Sequence, residues 1–114
     1  MIRIERIERS NPLYRQAVDL RERVLLHPIG IDMARLESLF PGSEDRFEHF
    51  VAVVDHPKGD RVVGVVCLLA TPDNGVGKLM QMAVDPQRQR EGIGRRLVVA
   101  LERADFTKGI PERM

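Results

Sequence analysis

Hydrophobic and polar residues follow two different spacings in the first third of the chain. Alternating isoleucines and charged residues predict a strand over residues 2 to 8 with one buried face. Apolar residues then recur at helical spacing up to about His27, which predicts a first helix. A second, shorter helix is predicted between its capping residue, Asp32, and the helix-ending Gly42.

The middle of the chain changes to the pattern of strands. Three strands are predicted at 50–54, 61–70 and 78–84, because short apolar runs are separated there by turn-forming residues. The second of them is apolar almost throughout, as expected for a strand that is buried on both faces. Helical spacing returns over 93–104 and predicts a last helix. The order β-α-α-β-β-β-α indicates an α/β (α+β) fold, in which 1–114 form a single domain.

The composition excludes several functions without assigning one. The 114 residues include 18 basic and 17 acidic side chains, so no overall field would attract nucleic acid or an anionic membrane. Cys67 is the only cysteine, which excludes an internal disulfide and is typical of a reducing compartment. The chain has no apolar leader, and no apolar run is long enough to span a bilayer. A cytoplasmic protein is therefore expected, with no nucleic-acid or membrane partner.

The clearest chemical signal is the loop between the last predicted strand and the last helix. The strand ends at Asp85-Pro86, and a short basic stretch then leads to Gly92 and Gly94 at the start of the helix. The first backbone N–H groups of a helix have no helical partner, and the helix dipole adds partial positive charge there. Four arginines add formal positive charge around the same loop: Arg88, Arg90, Arg95 and Arg96. The loop therefore predicts a site for a phosphate-bearing anion.

A known family carries the same residues at this place. The segment Gln89-Arg90-Glu91-Gly92-Ile93-Gly94 fits the pattern Gln/Arg-x-x-Gly-x-Gly/Ala of the GCN5-related N-acetyltransferase (GNAT) family. The preceding run Met82-Ala83-Val84-Asp85-Pro86 resembles the end of that family's fourth strand. A dinucleotide-binding Rossmann fingerprint fits worse, because it needs another glycine before the motif and an acidic residue after a following strand. The chain thus resembles GNAT acetyltransferases over most of its length, which implies their mixed sheet.

The resemblance implies acetyl-CoA, or another acyl-CoA, as co-substrate, and no metal. Backbone N–H groups of the motif would hold the pyrophosphate, and the pantetheine arm would pair with the fourth strand, which in this family commonly carries a bulge. The residues that would bind coenzyme A are Met82, Ala83, Val84, Gln89, Arg90, Glu91, Gly92, Ile93, Gly94 and Arg95. Many members have glycine where this chain has Arg90, and we interpret that arginine as a contact to phosphate.

The resemblance assigns no catalytic base or acid, so the catalytic residues are unknown at this point. Where the histone-acetylating branch has a glutamate base, this chain has Lys78, which is unsuited to that role unless it is strongly desolvated. The only tyrosine, Tyr14, lies on the first helix and not where many members carry a tyrosine acid. Gln81 either orients a water or the substrate, or is a solvent-facing strand residue, and the sequence favours the second interpretation.

Other polar residues are open to two interpretations. Three histidines lie near turns or strand ends without metal-ligand spacing, which favours surface positions: His27, His49 and His56. Four acidic residues fall in the region that shapes the acceptor pocket in the family: Asp32, Glu37, Glu44 and Asp45. They would either favour a cationic amine or form an acidic, solvated surface.

Two functions follow from the resemblance. The first is transfer of an acetyl group from acetyl-CoA to a primary amine of a small molecule or peptide. The second is a catalytically inactive coenzyme A-binding or dimerisation module derived from that family, because the sequence stops after the helix that follows the motif. The family's fold continues with a further strand and helix, and an unpaired fourth strand tends to recruit another chain. A homodimer is therefore expected, with contacts through the fourth strand or the last helix.

Overall fold

Four strands form one sheet whose spatial order is the order along the chain. The structure is a computed structural model that describes the backbone of residues 2–71 and 76–107 and the side chains of residues 2–69 and 81–103. The strands are β1 (Ile2–Ile7), β2 (Phe47–Val54), β3 (Arg61–Thr71) and β4 (Val76–Val84). Each pairs antiparallel with the next. The predicted fold class and order of strands are confirmed, and β2 begins three residues before its predicted start.

Helices pack on both faces of this sheet. They are α1 (Tyr14–Arg21), α2 (Met33–Leu39), α3 (Ser43–Arg46) and α4 (Ile93–Thr107). The predicted first helix loses regular α geometry after Arg21, where one π turn and a short 3₁₀ helix follow, because Pro28 lacks the N–H that a continuing helix requires. Asp32 caps α2 as predicted, accepting a hydrogen bond from a backbone N–H of the first turn at 2.8 Å. The predicted tail beyond residue 107 lies outside the described residues.

The short helix α3 was not predicted. Pro41 and Gly42 predict the end of the helical region, since proline and glycine commonly follow a helix. Gly42 instead has a φ of 78°, a left-handed conformation that lets the chain turn and begin another helical turn at once. This additional turn places Glu44 inside the protein, where it is 3% exposed.

Two apolar layers hold the helices to the sheet. On one face, Ile93 and Leu97 of α4 pack with alternate residues of β2 such as Phe50. On the other face, Leu20 of α1 packs with the intervening residues of β2, such as Val51. β3 contributes to both layers and is buried from residue 62 to residue 68, which confirms the predicted burial on both faces.

A β-bulge interrupts β4 just before its last residues. Cys67 of β3 lies opposite Gln81, but Leu68 lies opposite Leu79, so β4 carries one extra residue at position 80. A bulge of this kind bends the strand and increases its local twist. The end of β4 is thereby turned relative to its beginning, and it enters the loop that the sequence predicts as the phosphate site.

The packing of α4 depends on Gly64, which leaves no room for a side chain. A Cβ at this position would lie 2.6 Å from Cγ2 of Ile93 and 3.1 Å from Cδ1 of Leu97, both fully buried. We expect Gly64→Ala to lower the free energy of unfolding by about 1–3 kcal/mol, because α4 must move away from the sheet. Urea unfolding measures this effect.

A second glycine supplies the matched control. A Cβ on Gly94 would lie 3.5 Å from its nearest neighbour, Sδ of Met82, which is an ordinary contact. Gly94→Ala should therefore be neutral or stabilising by up to about 1 kcal/mol, since alanine favours helix. Equal stabilities of the two variants would contradict the close approach at Gly64.

Candidate active site

The chain leaves β4 through a tight turn that Asp85 organises. Its side chain accepts a hydrogen bond from the backbone N–H of Gln87 at 3.0 Å, and its carbonyl oxygen accepts one from Arg88 at 2.8 Å. A 3₁₀ helix over Pro86–Glu91 follows. Gly92 then has a φ of 73°, in the left-handed region that favours glycine, and α4 begins at the next residue. The loop therefore ends in a helix N-terminus, which is a natural site for an anion.

The two segments that the sequence assigns to coenzyme A lie side by side. The position of a Cβ on Gly94 is 3.5 Å from Sδ of Met82 and 3.9 Å from Cγ2 of Val84, so the start of α4 touches the end of β4. Ala83 is buried on the opposite face of the sheet. Within the described residues β4 pairs only with β3, which leaves its other edge open to an added strand. The end of an open strand edge thus lies beside a helix N-terminus.

The four arginines of this region do not surround the loop together. Arg88 and Arg90 line a cavity of about 370 Å³ along the 3₁₀ helix. The whole lining is polar or charged apart from one proline: Pro86, Gln87, Arg88, Gln89, Arg90 and Glu91. Arg96 instead donates a hydrogen bond to the carbonyl oxygen of Ile2 at 2.7 Å, and with Arg95 it lines a second cavity beside β1. The prediction of one four-arginine cluster is wrong, and two guanidinium groups remain beside the loop.

On the α1 side of the sheet lies a buried polar network that the sequence did not predict. Its members come from α1, α3, β2, β3 and β4: Tyr14, Arg21, Glu44, His49, Cys67 and Gln81. Arg21 is fully buried and donates to both carboxylate oxygens of Glu44, at 3.0 and 2.7 Å. Its Nε donates to Oε1 of Gln81 at 2.8 Å, and the Tyr14 hydroxyl donates to Glu44 at 2.5 Å. The ion pair therefore ties α1 and α3 to β4 immediately beyond the bulge.

Two members of the network contradict the surface positions predicted for them. His49 is 2% exposed within β2, where its ring meets the Tyr14 ring edge-on at a centroid distance of 5.3 Å. The strand starts earlier than predicted, so His49 lies in its interior and not at its end. Gln81 is partly buried and bound to Arg21, and it is not the solvent-facing residue that the sequence favoured. A buried arginine needs such acceptors, which explains a glutamine on an otherwise apolar strand.

Burial sets the protonation of the network. It raises the pKa of the Cys67 thiol to about 12, and burial together with the hydrogen bond to Glu44 raises the pKa of Tyr14 to about 12. Burial alone would raise the pKa of Glu44, but hydrogen bonds from Arg21 and Tyr14 lower it below its ordinary value. At neutral pH the carboxylate is charged and fully engaged with donors. The network therefore holds Gln81 and the end of β4 in position, and the Glu44 carboxylate is not free to act as a base.

His49 should make the stability of the protein depend on pH. Burial lowers the pKa of His49 below its ordinary value, so the unfolded chain binds a proton near pH 6 that the folded chain does not. The contribution of the neutral imidazole to the free energy of unfolding should therefore be fully present above about pH 6.5. It should decrease as the pH falls below this value, by at most about 1.4 kcal/mol per pH unit. We expect His49→Gln to remove this part of the acid sensitivity, as measured by urea unfolding at pH 7.5 and 5.5.

His27 provides the control for this prediction, because it is exposed on the surface. His27→Gln should lose the same stability as the wild type between the two pH values. If His49→Gln also loses as much as the wild type, the buried imidazole is not the source of the acid sensitivity.

The acidic residues that the sequence placed near the acceptor pocket are engaged in structural contacts. Asp32 accepts a backbone hydrogen bond at the start of α2, and Glu37 accepts one from the backbone N–H of the turn after α2. Asp45 forms an ion pair with Arg9, and Glu44 belongs to the buried polar network. The expectation that these four carboxylates attract a cationic amine is therefore not supported by their contacts.

A mostly apolar cavity of about 250 Å³ opens beside Gln81, and we call it the apolar cavity. Residues of α2, α3 and the neighbouring strands form it: Leu36, Phe40, Ser43, Arg46, Phe47, Leu69 and Gln81. Among these described lining residues, Arg46 carries the only charge. Gln81 directly precedes the segment of β4 assigned to coenzyme A, so the apolar cavity lies next to that segment.

Two further findings concern other kinds of ligand. Across residues 2–71 and 76–107, no three His, Cys, Asp or Glu side chains are grouped so that they could hold a metal ion. None of the helices in the same part of the chain is long and apolar enough to cross a membrane.

Comparison with known sequences connects this site to one family. The profile of the acetyltransferase (GNAT) family matches residues 14–114, which include β4, the loop and α4. No curated protein sequence matches the chain at a significant level.

Solved structures with a similar fold include several acetyltransferases. An aminoglycoside 6'-N-acetyltransferase complexed with coenzyme A has a TM-score of 0.71 and 24% identity, over 94% of this chain and 57% of that chain. A ribosomal-protein alanine N-acetyltransferase from Escherichia coli has a TM-score of 0.68 and 19% identity, over 96% of this chain and 63% of that chain. A GNAT acetyltransferase from Staphylococcus aureus Mu50 has a TM-score of 0.71 and 20% identity, over 96% of this chain and 70% of that chain. The TM-scores show a shared fold, and at these identities they show the fold alone. The chain spans 57% to 70% of the three relatives' lengths.

Proposed function

The chain belongs to the GNAT acetyltransferase family, and on this premise we propose that it transfers an acetyl group from acetyl-CoA to a primary amine. The observation that carries the proposal is that the start of α4 packs beside the end of β4, since a Cβ added to Gly94 would lie 3.5 Å from Met82 and 3.9 Å from Val84. An extended arm that ends in phosphates fits a strand edge that ends beside a helix N-terminus.

We assign the coenzyme A contacts to two segments. Backbone groups of Met82, Ala83 and Val84 would pair with the pantetheine arm, and backbone N–H groups between Gln89 and Arg95 would hold the pyrophosphate. The assignment of the pyrophosphate to this loop is supported by open space at Gly92, where a Cβ added to the glycine would have no neighbouring atom within 4 Å. It is also supported by the fifteen-residue length of α4, which gives its N-terminus a full dipole. Arg88 and Arg90 would add charge from the side.

The chain's own residues would position the reactants. The bound co-substrate supplies the acyl group as an activated thioester. Backbone N–H groups of β4 next to the bulge would polarise a carbonyl held there. Gln81, fixed by Arg21, would face the amine side of the site. The side chain of Lys78 lies outside the described residues, and the assignment of a base stays open to experiment.

The acceptor class and the assembly belong to the same proposal. Relatives with this fold include an enzyme named for aminoglycosides and one named for an alanine of a ribosomal protein, so small-molecule and peptide amines are both acceptor candidates. The single acyl-CoA-binding domain, the cytoplasmic location and the homodimer stay predictions. Light scattering over a dilution series tests the last of these, and a monomer at high micromolar concentration would contradict it.

A turnover assay tests the proposed function. Thiol release from acetyl-CoA should increase when a primary amine is added, and mass spectrometry should find one acetyl group on that amine. The inactive-module alternative predicts saturable coenzyme A binding in calorimetry together with thiol release that no amine changes. If the protein shows no coenzyme A binding and no amine-dependent thiol release, both functions are contradicted.

A further inference from the structure

The chemistry of the apolar cavity restricts the amine that this site can accept. Four of its lining residues are large and apolar: Leu36, Phe40, Phe47 and Leu69. Phe40 is 58% exposed, although a large apolar side chain gains most by burial. The volume of about 250 Å³ lies below the range of about 300–1,000 Å³ that is usual for drug-sized ligands. The cavity therefore suits a small ligand with an apolar body.

The charge carried by the described lining residues of the cavity is positive. Arg46 is exposed at its edge, and none of the described acidic residues pairs with it. The nearby acids are engaged elsewhere, since Glu44 binds Arg21 through both oxygens and Asp45 pairs with Arg9. A guanidinium group with this freedom recognises a carboxylate through two parallel hydrogen bonds. A polycation would meet Arg46 without a balancing carboxylate among the described lining residues.

Gln81 adds a directed hydrogen-bond donor. Its Oε1 faces Nε of Arg21 at 2.8 Å, and this orientation is required because a guanidinium group only donates. Gln81 also lines the cavity, and its amide N–H₂ group is the part of that side chain that can donate. It can donate there to an oxygen of the ligand. Among its described lining residues the cavity thus combines an apolar wall, an amide, the hydroxyl of Ser43 and one cation.

We infer that the acceptor is a small amine with an apolar body and a carboxylate, such as an apolar amino acid, and not a polycationic aminoglycoside. This inference rests on the proposed acetyltransferase function. The apolar body would contact Leu36, Phe40 and Phe47, and the carboxylate would bind Arg46. The amine would then lie toward Gln81 and the end of β4, where the acyl group is proposed to be held.

Three matched amines test this inference through kcat/KM for thiol release from acetyl-CoA. They are phenylalanine, phenylalaninamide, which lacks the carboxylate, and kanamycin, which is a polycation. We expect phenylalanine to exceed phenylalaninamide by about tenfold or more, as a charge-assisted hydrogen-bond pair would give, with kanamycin the poorest of the three. A preference for kanamycin, or equal rates for the first two amines, would overturn the inference.

A charge reversal at Arg46 tests the same inference by changing the protein instead of the amine. Arg46→Glu should abolish the preference for phenylalanine over phenylalaninamide, with coenzyme A affinity unchanged. Arg35→Glu is the matched control, because Arg35 is also exposed but lines a different cavity, and it should keep the wild-type preference. An unchanged preference in Arg46→Glu would contradict the assigned role of Arg46.

These outcomes separate the inference from the proposed function. If coenzyme A binds and kanamycin is the best acceptor, the proposed function stands and the inference is wrong. If no amine, including these three, increases thiol release, both are wrong.

Discussion

Gly92→Val should weaken coenzyme A binding by about 100-fold or more while the protein stays folded. Gly92 has a φ of 73°, which costs a β-branched residue about 1–3 kcal/mol, and relief of this strain rotates the peptide groups at the start of α4. Each hydrogen bond from those groups to a charged phosphate contributes about 1.5–3 kcal/mol, so the loss of two gives the expected factor. A Cβ added to Gly92 would have no neighbouring atom within 4 Å, so the expected effect comes from the backbone and not from crowding at that atom.

Gly30 offers a closely matched control for this variant. Its φ is 80°, it also has open space around a built Cβ, and it lies in the connection between α1 and α2. Gly30→Val should cost similar stability and leave coenzyme A affinity unchanged. Circular dichroism and calorimetric titration of both variants measure these effects. Wild-type affinity in Gly92→Val, or an equal loss in Gly30→Val, would remove the support for a phosphate site at this helix N-terminus.

Arg21→Met should lower the free energy of unfolding by about 3–5 kcal/mol. The substitution keeps much of the side-chain volume but leaves Glu44 buried without its cation, and an uncompensated buried charge is costly. The loss should be largest at neutral pH and decrease in acid. Contacts with Arg21 hold the pKa of Glu44 low in the wild type, whereas in the variant burial favours the protonated carboxyl. Urea unfolding across pH 7 to 4 measures both effects.

Two comparisons identify the buried charge as the cause. The double variant Arg21→Met with Glu44→Gln removes both charges of the buried ion pair. This variant should recover a large part of the stability that Arg21→Met loses. Arg9→Met breaks the exposed ion pair with Asp45 and should cost less than about 1 kcal/mol. Equal losses in Arg9→Met and Arg21→Met, or no recovery in the double variant, would show that packing and not charge explains the effect.

The end of β4, its loop and α4 could be predicted from the sequence because their signals are local. Asp85 and Pro86 mark the end of a strand, and helical spacing of apolar residues marks α4. Gly92 marks the start of the helix that follows, and the structure has it immediately before α4. The contact between β4 and α4 follows from these three signals together. The binding role of the residues at this contact stays a prediction.

The buried polar network could not be predicted in the same way, because its members are distant in sequence. Tyr14 and Gln81 are joined only through Glu44 and Arg21, after α1, α3 and β4 have packed together. Each of these polar residues alone fits a surface position, and charged residues usually lie there. Their burial follows from tertiary packing, and the unpredicted helix α3 supplies the carboxylate. The same packing forms the apolar cavity, whose lining comes from several separate segments.

The central claim is that coenzyme A binds along residues 82–84 and 89–95. The most direct measurement is a titration of the ¹⁵N-labelled protein with coenzyme A, followed by the amide chemical shifts of each residue. Saturable shift changes should be largest at the backbone N–H groups of these two segments. An absence of saturable changes there, or changes confined to Arg96, Val99 and Arg103 beside β1, would contradict this proposal.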